Sequence, residues 1–360
     1  MARSLDGNFW QRLGITLAVL AAYGVGMNVL LPGIDTDNLR ESLRAGGLTF
    51  ANVSMFALGV MPLLNALIVL EIIKLVAPGV RAWELSAPAN SDHIGQIVVS
   101  VVLLLTLLQA GGYASALEGA DLVSQPGASF RFACVATLIG GTALMIAFAR
   151  FIDGPGLGWG LWLLYLVPSL AELPRILPTL AQVTASGDYA AGSIALAAAF
   201  TVLTIGGVAS IVLAARGARA TVLTCIWTPF IANVVLTPIL FASGLLATFN
   251  VDGATAFATS GNVVWYLGLV VVVALVVWLC LRSHARVGFS SPIPAAPIAA
   301  TLAAILVGGT LLETQLNVVL PLAPAPLIVA AAVMTTLLIE WGFLDRLGPA
   351  ETSEPLSPQA

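Results

Sequence analysis

The sequence predicts an all-α polytopic membrane protein with ten transmembrane helices in two pseudo-symmetric five-helix halves. Of its 360 residues, 59% are hydrophobic and 9% charged, whereas soluble domains carry about 25% charged residues. Apolar runs of about 20 residues recur along the chain, which is the length that crosses a hydrocarbon core of about 30 Å as a helix. Glycine and proline interrupt several runs, a pattern typical of membrane proteins built from inverted repeats.

The composition also excludes several function classes. A net charge of −4 is too small to indicate a nucleic-acid partner. Cys134, Cys225 and Cys280 lie far apart in apolar runs, so we expect no metal site and no cofactor. His93 and His284 have no acid, serine or cysteine at a catalytic spacing, and we find no metalloprotease, hydrolase or phosphate-binding motif. We therefore predict that the chain is not an enzyme.

The predicted N-terminal half covers residues 1–187. Its first span, residues 13–31, is longer than the h-region of a signal peptide, about 7–15 residues, and no small-residue cleavage site follows, so we expect it to be retained. A polar stretch follows that is too short to cross the membrane. The other four spans are predicted at 54–77, 94–115, 130–149 and 157–178.

The predicted C-terminal half covers residues 188–348 and is followed by a disordered tail, 349–360. Its spans are predicted at 190–214, 221–247, 262–281, 297–318 and 322–341. Pro62 lies early in the second span and Pro229 early in the seventh, which are matching positions if the halves are repeats. A proline in the first turn costs a helix little, because the first amides have no partner within the helix.

The arginines and lysines set the predicted orientation. With ten spans, ten of the 14 basic residues fall on the side of the termini and four fall on the other side. Cytoplasmic loops of membrane proteins carry an excess of basic residues. We therefore expect both termini to be cytoplasmic.

Few ionisable residues lie within the predicted spans. Glu71 and Lys74 are three residues apart near a helix end, so we expect a surface pair whose charged groups reach the interface. Glu313 has no evident role, and the chain lacks the series of carboxylates that a proton relay needs. Proton-coupled transport is therefore not favoured.

Two motifs identify a family resemblance. Residues 31–35, LPGID, and 54–62, SMFALGVMP, resemble the end of the first span and the start of the second in the SecY family of protein-conducting channels. Further similar positions follow in the same order along the chain: Gln109, Gly140-Gly141-Thr142, the GLGWG of residues 156–160, Leu173-Pro174 and Ala215-Arg216-Gly217.

The resemblance implies an hourglass pore between two halves, with an outer plug and a lateral gate between the second and seventh spans. The plug corresponds to about residues 43–53: Leu43, Gly46, Gly47, Leu48, Thr49, Phe50, Ala51, Asn52 and Val53. The pore ring corresponds to Val60, Leu64, Leu161, Tyr165, Ile231 and Val329. The gate corresponds to Asn65 and Ile68, and we expect Asn65 to hold the closed gate by a hydrogen bond. From the residues alone, plain helix packing is the preferred explanation for these side chains.

The chain also departs from the family pattern. The loops after the sixth and eighth spans, which carry the docking sites for the ribosome and the motor ATPase in the family, are reduced here to residues 216–219 and 282–289. Trp159 replaces an asparagine of the family motif, and Tyr165 is large for a pore ring. The sequence therefore resembles a divergent member with shortened loops, which argues against motor or ribosome docking.

Three functions stay open. The first is a protein-conducting or protein-inserting subunit of the bacterial inner membrane, whose partners are lipids, passing polypeptides and a small single-span SecE-like subunit. The second is a non-translocating scaffold for the assembly of membrane proteins. The third is a small-solute transporter built on the same shell.

Overall fold

Twelve α-helices and one short 3-10 helix make up the described part of the chain in this computed structural model. The structure describes residues 8–44, 48–185, 191–248 and 263–343. Within these ranges the only β-type pairings are two isolated bridges, Leu30 with Ser54 and Ile34 with Val123. The predicted all-α class is confirmed, while the predicted tail, 349–360, lies outside the described residues.

Seven α-helices and the 3-10 helix precede residue 186. They are α1 (Asn8–Gly26), α2 (Thr36–Arg44), the 3-10 helix (Phe50–Val53), α3 (Met61–Val76), α4 (Pro78–Ser86), α5 (Pro88–Gly119), α6 (Ala128–Asp153) and α7 (Gly160–Ala185). Five follow it: α8 (Ala191–Ala214), α9 (Arg219–Thr248), α10 (Val263–Ala285), α11 (Ala295–Thr314) and α12 (Pro324–Glu340).

Every one of the ten predicted spans contains a helix, but not every helix is long and apolar enough to cross a membrane. Seven of the described helices meet both conditions, namely α5 to α11. The pair α3 and α4 meets them only if taken together, although a bend of 106° separates the two helices. Helix α12 has 17 residues and α1 has 19. The count of ten spans therefore stays a prediction.

The second span begins later than the sequence predicts. We expected it to start at residue 54, but residues 55–60 form turns and α3 begins at Met61, with Pro62 in its first turn. Gly59 has φ +53°, a left-handed conformation that glycine adopts without steric cost. The chain therefore turns immediately before α3.

Close helix packing explains two of the glycine motifs. A Cβ on Gly141 of α6 would overlap the carbonyl oxygen of Met55, and one on Gly160 would overlap that of Ala149. At both positions a neighbouring backbone approaches too closely for any side chain. These glycines fix α6 against the turn before α3 and against the start of α7.

The ends of the helices lie on two opposite faces of the molecule. The face that carries the start of α1 and the end of α12, where the rings of Phe9 and Trp341 lie 5.0 Å apart, is called here the terminal face. The opposite face carries α2 and the 3-10 helix and is called here the plug face. The terminal face is the one that the basic residues predict to be cytoplasmic.

Candidate functional site

Cavities enter the molecule from both faces. A cavity of about 610 Å³ opens at the terminal face and is lined by Asp153, Trp159, Leu161, Trp162 and Arg219, among others. On the plug-face side a cavity of about 270 Å³ is lined by Val60 and Tyr165, and a second of about 480 Å³ lies beside the 3-10 helix. Leu161 and Tyr165 are one helical turn apart on α7, so the barrier between the two sides is thin.

The six predicted ring residues lie at this barrier. Val60, Leu64, Ile231 and Val329 are at most 3% exposed. Leu161 and Tyr165 pack against two apolar clusters, one that contains Val60 and another that contains Leu64, Ile231 and Val329. The structure therefore brings the six side chains into one continuous apolar region contributed by α3, α7, α9, α12 and the turn before α3. Their role as a seal stays a prediction.

Four aromatic rings form part of the same barrier, and the sequence analysis did not recognise that they lie together. The ring centroid of Trp162 lies 4.8 Å from that of Trp227 and 5.7 Å from that of Phe230, and the rings of Tyr165 and Phe230 are 5.3 Å apart. This aromatic cluster (Trp162, Tyr165, Trp227 and Phe230) joins α7 to α9. The sequence could have indicated this cluster, because each of the two helices carries two aromatic residues three positions apart. That spacing places the two residues of each pair on the same face of their helix.

The predicted plug segment is bound at its C-terminal end. The backbone N–H of Leu31 donates to the carbonyl of Val53 at 2.9 Å, and the hydroxyl of Tyr113 donates to that of Asn52. Thr49 donates from its backbone N–H to the side-chain oxygen of Asn52 at 2.9 Å. Leu43, Leu48, Phe50 and Ala51 line the cavity of about 480 Å³, whereas Gly46 and Gly47 lie outside the described residues.

Comparison with known proteins decides the family. A sequence profile of the SecY family matches residues 54–290, which is more than half of the chain. The chain belongs to the SecY family. It is 32% identical over 225 residues to the protein translocase subunit SecY of Thermus thermophilus, a match that covers 57% of this chain and 51% of that one. The Escherichia coli K12 subunit is 26% identical over 199 residues, covering 51% and 45%. The chain thus spans about half the length of these curated relatives.

Solved structures support the same fold. A structure described as that of a protein-conducting channel matches with a TM-score of 0.53 and 14% identity, covering 98% of this chain and 97% of the other. A second solved structure, described as showing that the plug domain of SecY stabilises the closed state of the channel, matches with a TM-score of 0.54. This chain is therefore a multi-pass membrane protein with a SecY-like fold.

The residues assigned to the lateral gate by the SecY resemblance lie on α3. Ile68 is 4% exposed and packs in the same cluster as Val222 and Ile226 of α9, so the contact there is apolar. Asn65 is half-buried. The described residues contain no hydrogen bond from its side chain, and its role at the gate stays a prediction.

A buried group of charges on α3 and α4 of this SecY-family chain corrects the expected surface pair of Glu71 and Lys74. The ammonium of Lys74 lies 3.2 Å from Glu71 and 2.8 Å from Glu84, and the guanidinium of Arg81 lies 2.6 Å from Glu71. The side chains of Lys74 and Arg81 are each 8% exposed. Helix α4 folds back under the end of α3 because of the bend, so the charges pair with one another instead of reaching the interface.

His284 extends this group, called here the ionic cluster, to α10. Its Nε2 lies 2.8 Å from Nη1 of Arg81, and its Nδ1 lies 2.8 Å from the carbonyl oxygen of Cys280. A guanidinium can only donate, and a carbonyl can only accept. Nε2 therefore accepts from Arg81, Nδ1 carries the proton, and the imidazole is neutral. This contact joins residues 203 apart in sequence, and no local spacing signals it.

The remaining polar candidates lie away from the barrier. Glu313 is exposed in the last turn of α11, and His93 is exposed near the start of α5. The three cysteines are buried among apolar side chains. The described residues contain no group of three or more His, Cys, Asp or Glu side chains that could hold a metal ion.

Proposed function

We propose that the chain is a protein-conducting channel subunit that moves polypeptides across a bacterial inner membrane or inserts them into it. The observation that carries the proposal is the pair of cavities on opposite faces, separated by a thin apolar and aromatic barrier. Apolar side chains at a constriction exclude water and ions but can move apart for a passing chain. The relatives named as translocase subunits support the same function.

Several parts of this proposal follow the SecY resemblance. The halves divide near residue 187, both termini are cytoplasmic, and residues 43–53 form the plug. The gate opens to lipid between α3 and α9, beside Asn65 and Ile68. A small single-span SecE-like subunit is a partner, and the channel subunit itself carries out no catalysis.

The short connections support independence from the usual motor. Residues 215–218 connect α8 to α9, and residues 286–294 connect α10 to α11. At about 3.5 Å per residue, neither connection projects far from the terminal face. We therefore propose that neither the motor ATPase nor the ribosome binds this chain in the way that it binds a subunit with long basic loops.

Ion conductance tests the proposed seal. Replacing Val60 and Leu64 with serine gives water hydrogen-bonding partners at the barrier, so the V60S/L64S variant should conduct ions in a planar bilayer above the parent level. Deleting residues 43–53 from that variant should raise the conductance further by widening the plug-face funnel. The matched control is Val69→Ser, on the same helix but 52% exposed toward lipid, which should leave conductance unchanged. Conductance at the parent level in both ring variants would show that these residues do not line a pore.

The alternative is a scaffold that keeps the shell without opening it. The aromatic cluster and the ionic cluster both join the two proposed halves, and together they favour a closed state. A scaffold would keep parent-level conductance in the ring variants yet still be recovered with newly made membrane proteins.

A further inference from the structure

A groove lies where α3 and α10 end at the terminal face. It has a volume of about 270 Å³, and its apolar wall comes from Leu75, Val76 and Leu279. Arg282 and Arg286 form its polar wall. This groove, called here the arginine groove, is separate from the cavities that flank the barrier.

The two arginines of the groove carry uncompensated charge. Both side chains are exposed, and no carboxylate within ion-pair distance of either occurs among the described residues. The nearby acids, Glu71 and Glu84, already pair with Lys74 and Arg81. The groove therefore attracts an anion.

A cation–π contact holds one of these two charges beside an apolar surface. The guanidinium carbon of Arg282 lies 4.9 Å from the ring centroid of Trp278, one turn earlier on α10. A cation over an indole ring is attracted by the ring electrons, which holds the guanidinium along the helix side. Tryptophan and arginine at the end of a spanning helix are typical of the membrane interface. The charge is therefore held at the depth of lipid headgroups.

The surface of α3 and α10 in and beside the groove is apolar and exposed. Val76 is 81% exposed, and Ile73 and Leu275 are 45% and 49% exposed. Since α10 is long and apolar enough to cross the membrane, its exposed Leu275 faces acyl chains, and the exposed Ile73 and Val76 add apolar surface on α3. A ligand that fits both the arginine pair and this apolar surface has an anionic head and a hydrocarbon tail.

We propose that the arginine groove binds an anionic phospholipid, with the phosphate between Arg282 and Arg286 and an acyl chain along α3 and α10. Guanidinium groups bind phosphate oxygens through paired, charge-assisted hydrogen bonds. A zwitterionic lipid brings a cation to the same place, where two arginines already repel it, and is bound more weakly. This proposal does not rest on the proposed channel function, because lipid binding is measured without transport.

Native mass spectrometry of the full purified chain tests the proposal. We would add phosphatidylglycerol or phosphatidylcholine with identical acyl chains and measure the bound fraction at each lipid concentration. The parent should retain phosphatidylglycerol preferentially. The R282Q/R286Q variant should bind it roughly twenty-five-fold more weakly, since each basic residue near a membrane surface contributes roughly fivefold.

A charge-matched control separates site binding from bulk attraction. Arg150 and Arg216 are also exposed at ends of helices on the terminal face, so R150Q/R216Q removes the same charge away from the groove. This control should bind phosphatidylglycerol like the parent. An equal loss of phosphatidylglycerol binding in both double variants would show that the arginine groove is not a specific binding site.

Two further outcomes would contradict the proposal. Equal retention of both lipids by the parent would exclude recognition of an anionic headgroup, whatever the variants do. Competition by inorganic phosphate at the same concentration as the lipid would assign the groove to a soluble anion. Preferential retention that survives inorganic phosphate and is lost only in R282Q/R286Q supports the lipid.

Discussion

At the residue scale, His284 connects the buried charges of α3 and α4 to α10. Glu71, Lys74, Arg81 and Glu84 balance one another within α3 and α4, and the neutral imidazole accepts the one Arg81 hydrogen bond that crosses to α10. Removing a partner from a buried donor costs the full desolvation of that donor. The contact therefore stabilises the association of α4 with α10.

We predict that His284→Leu destabilises the protein by about 1–3 kcal/mol, because it leaves Nη1 of Arg81 buried without an acceptor. The thermal unfolding midpoint in detergent should fall. His93→Leu makes the same chemical change at an exposed position and should have little effect. Equal midpoints for both variants would show that the Arg81–His284 contact contributes nothing.

At the element scale, α7 and α9 are joined by rings rather than by aliphatic side chains alone. Trp162 is 4% exposed and lies edge-on to Trp227, with an interplanar angle of 75°. Such edge-to-face pairs contribute about 0.5–1.5 kcal/mol beyond the area that they bury. Tyr165, which is large for the pore ring that the resemblance implies, is one member of this aromatic cluster.

A double-mutant cycle on Trp162 and Trp227 tests the cluster. With each tryptophan replaced by leucine, singly and together, we predict a coupling energy of about 0.5–1.5 kcal/mol in denaturant unfolding. The control cycle pairs Trp162 with Trp10, which is 71% exposed and outside the cluster, and it should give no coupling. Similar coupling in both cycles would mean that the rings do not act as a unit.

At the scale of the whole molecule, local patterns predicted the helices better than the contacts between them. Apolar length predicted a helix in each span, although α3 begins at Met61 and not at the predicted residue 54. The six ring residues were proposed from the resemblance alone, and although the structure brings them into two clusters that share Leu161 and Tyr165, their role in a pore stays a prediction. The Arg81–His284 contact could not be predicted, because the fold of α4 under α3 depends on tertiary packing.

Photo-crosslinking of a passing polypeptide tests the proposed function most directly. A photoreactive residue placed at Ile231 faces the barrier, whereas one placed at Val234, on the same helix, faces outward with 39% exposure. With a polypeptide arrested during its transfer into vesicles that contain this chain, we predict adducts from position 231 and few from position 234. Adducts of equal yield from both positions, or from neither while the polypeptide still enters the vesicles, would contradict a path through the barrier.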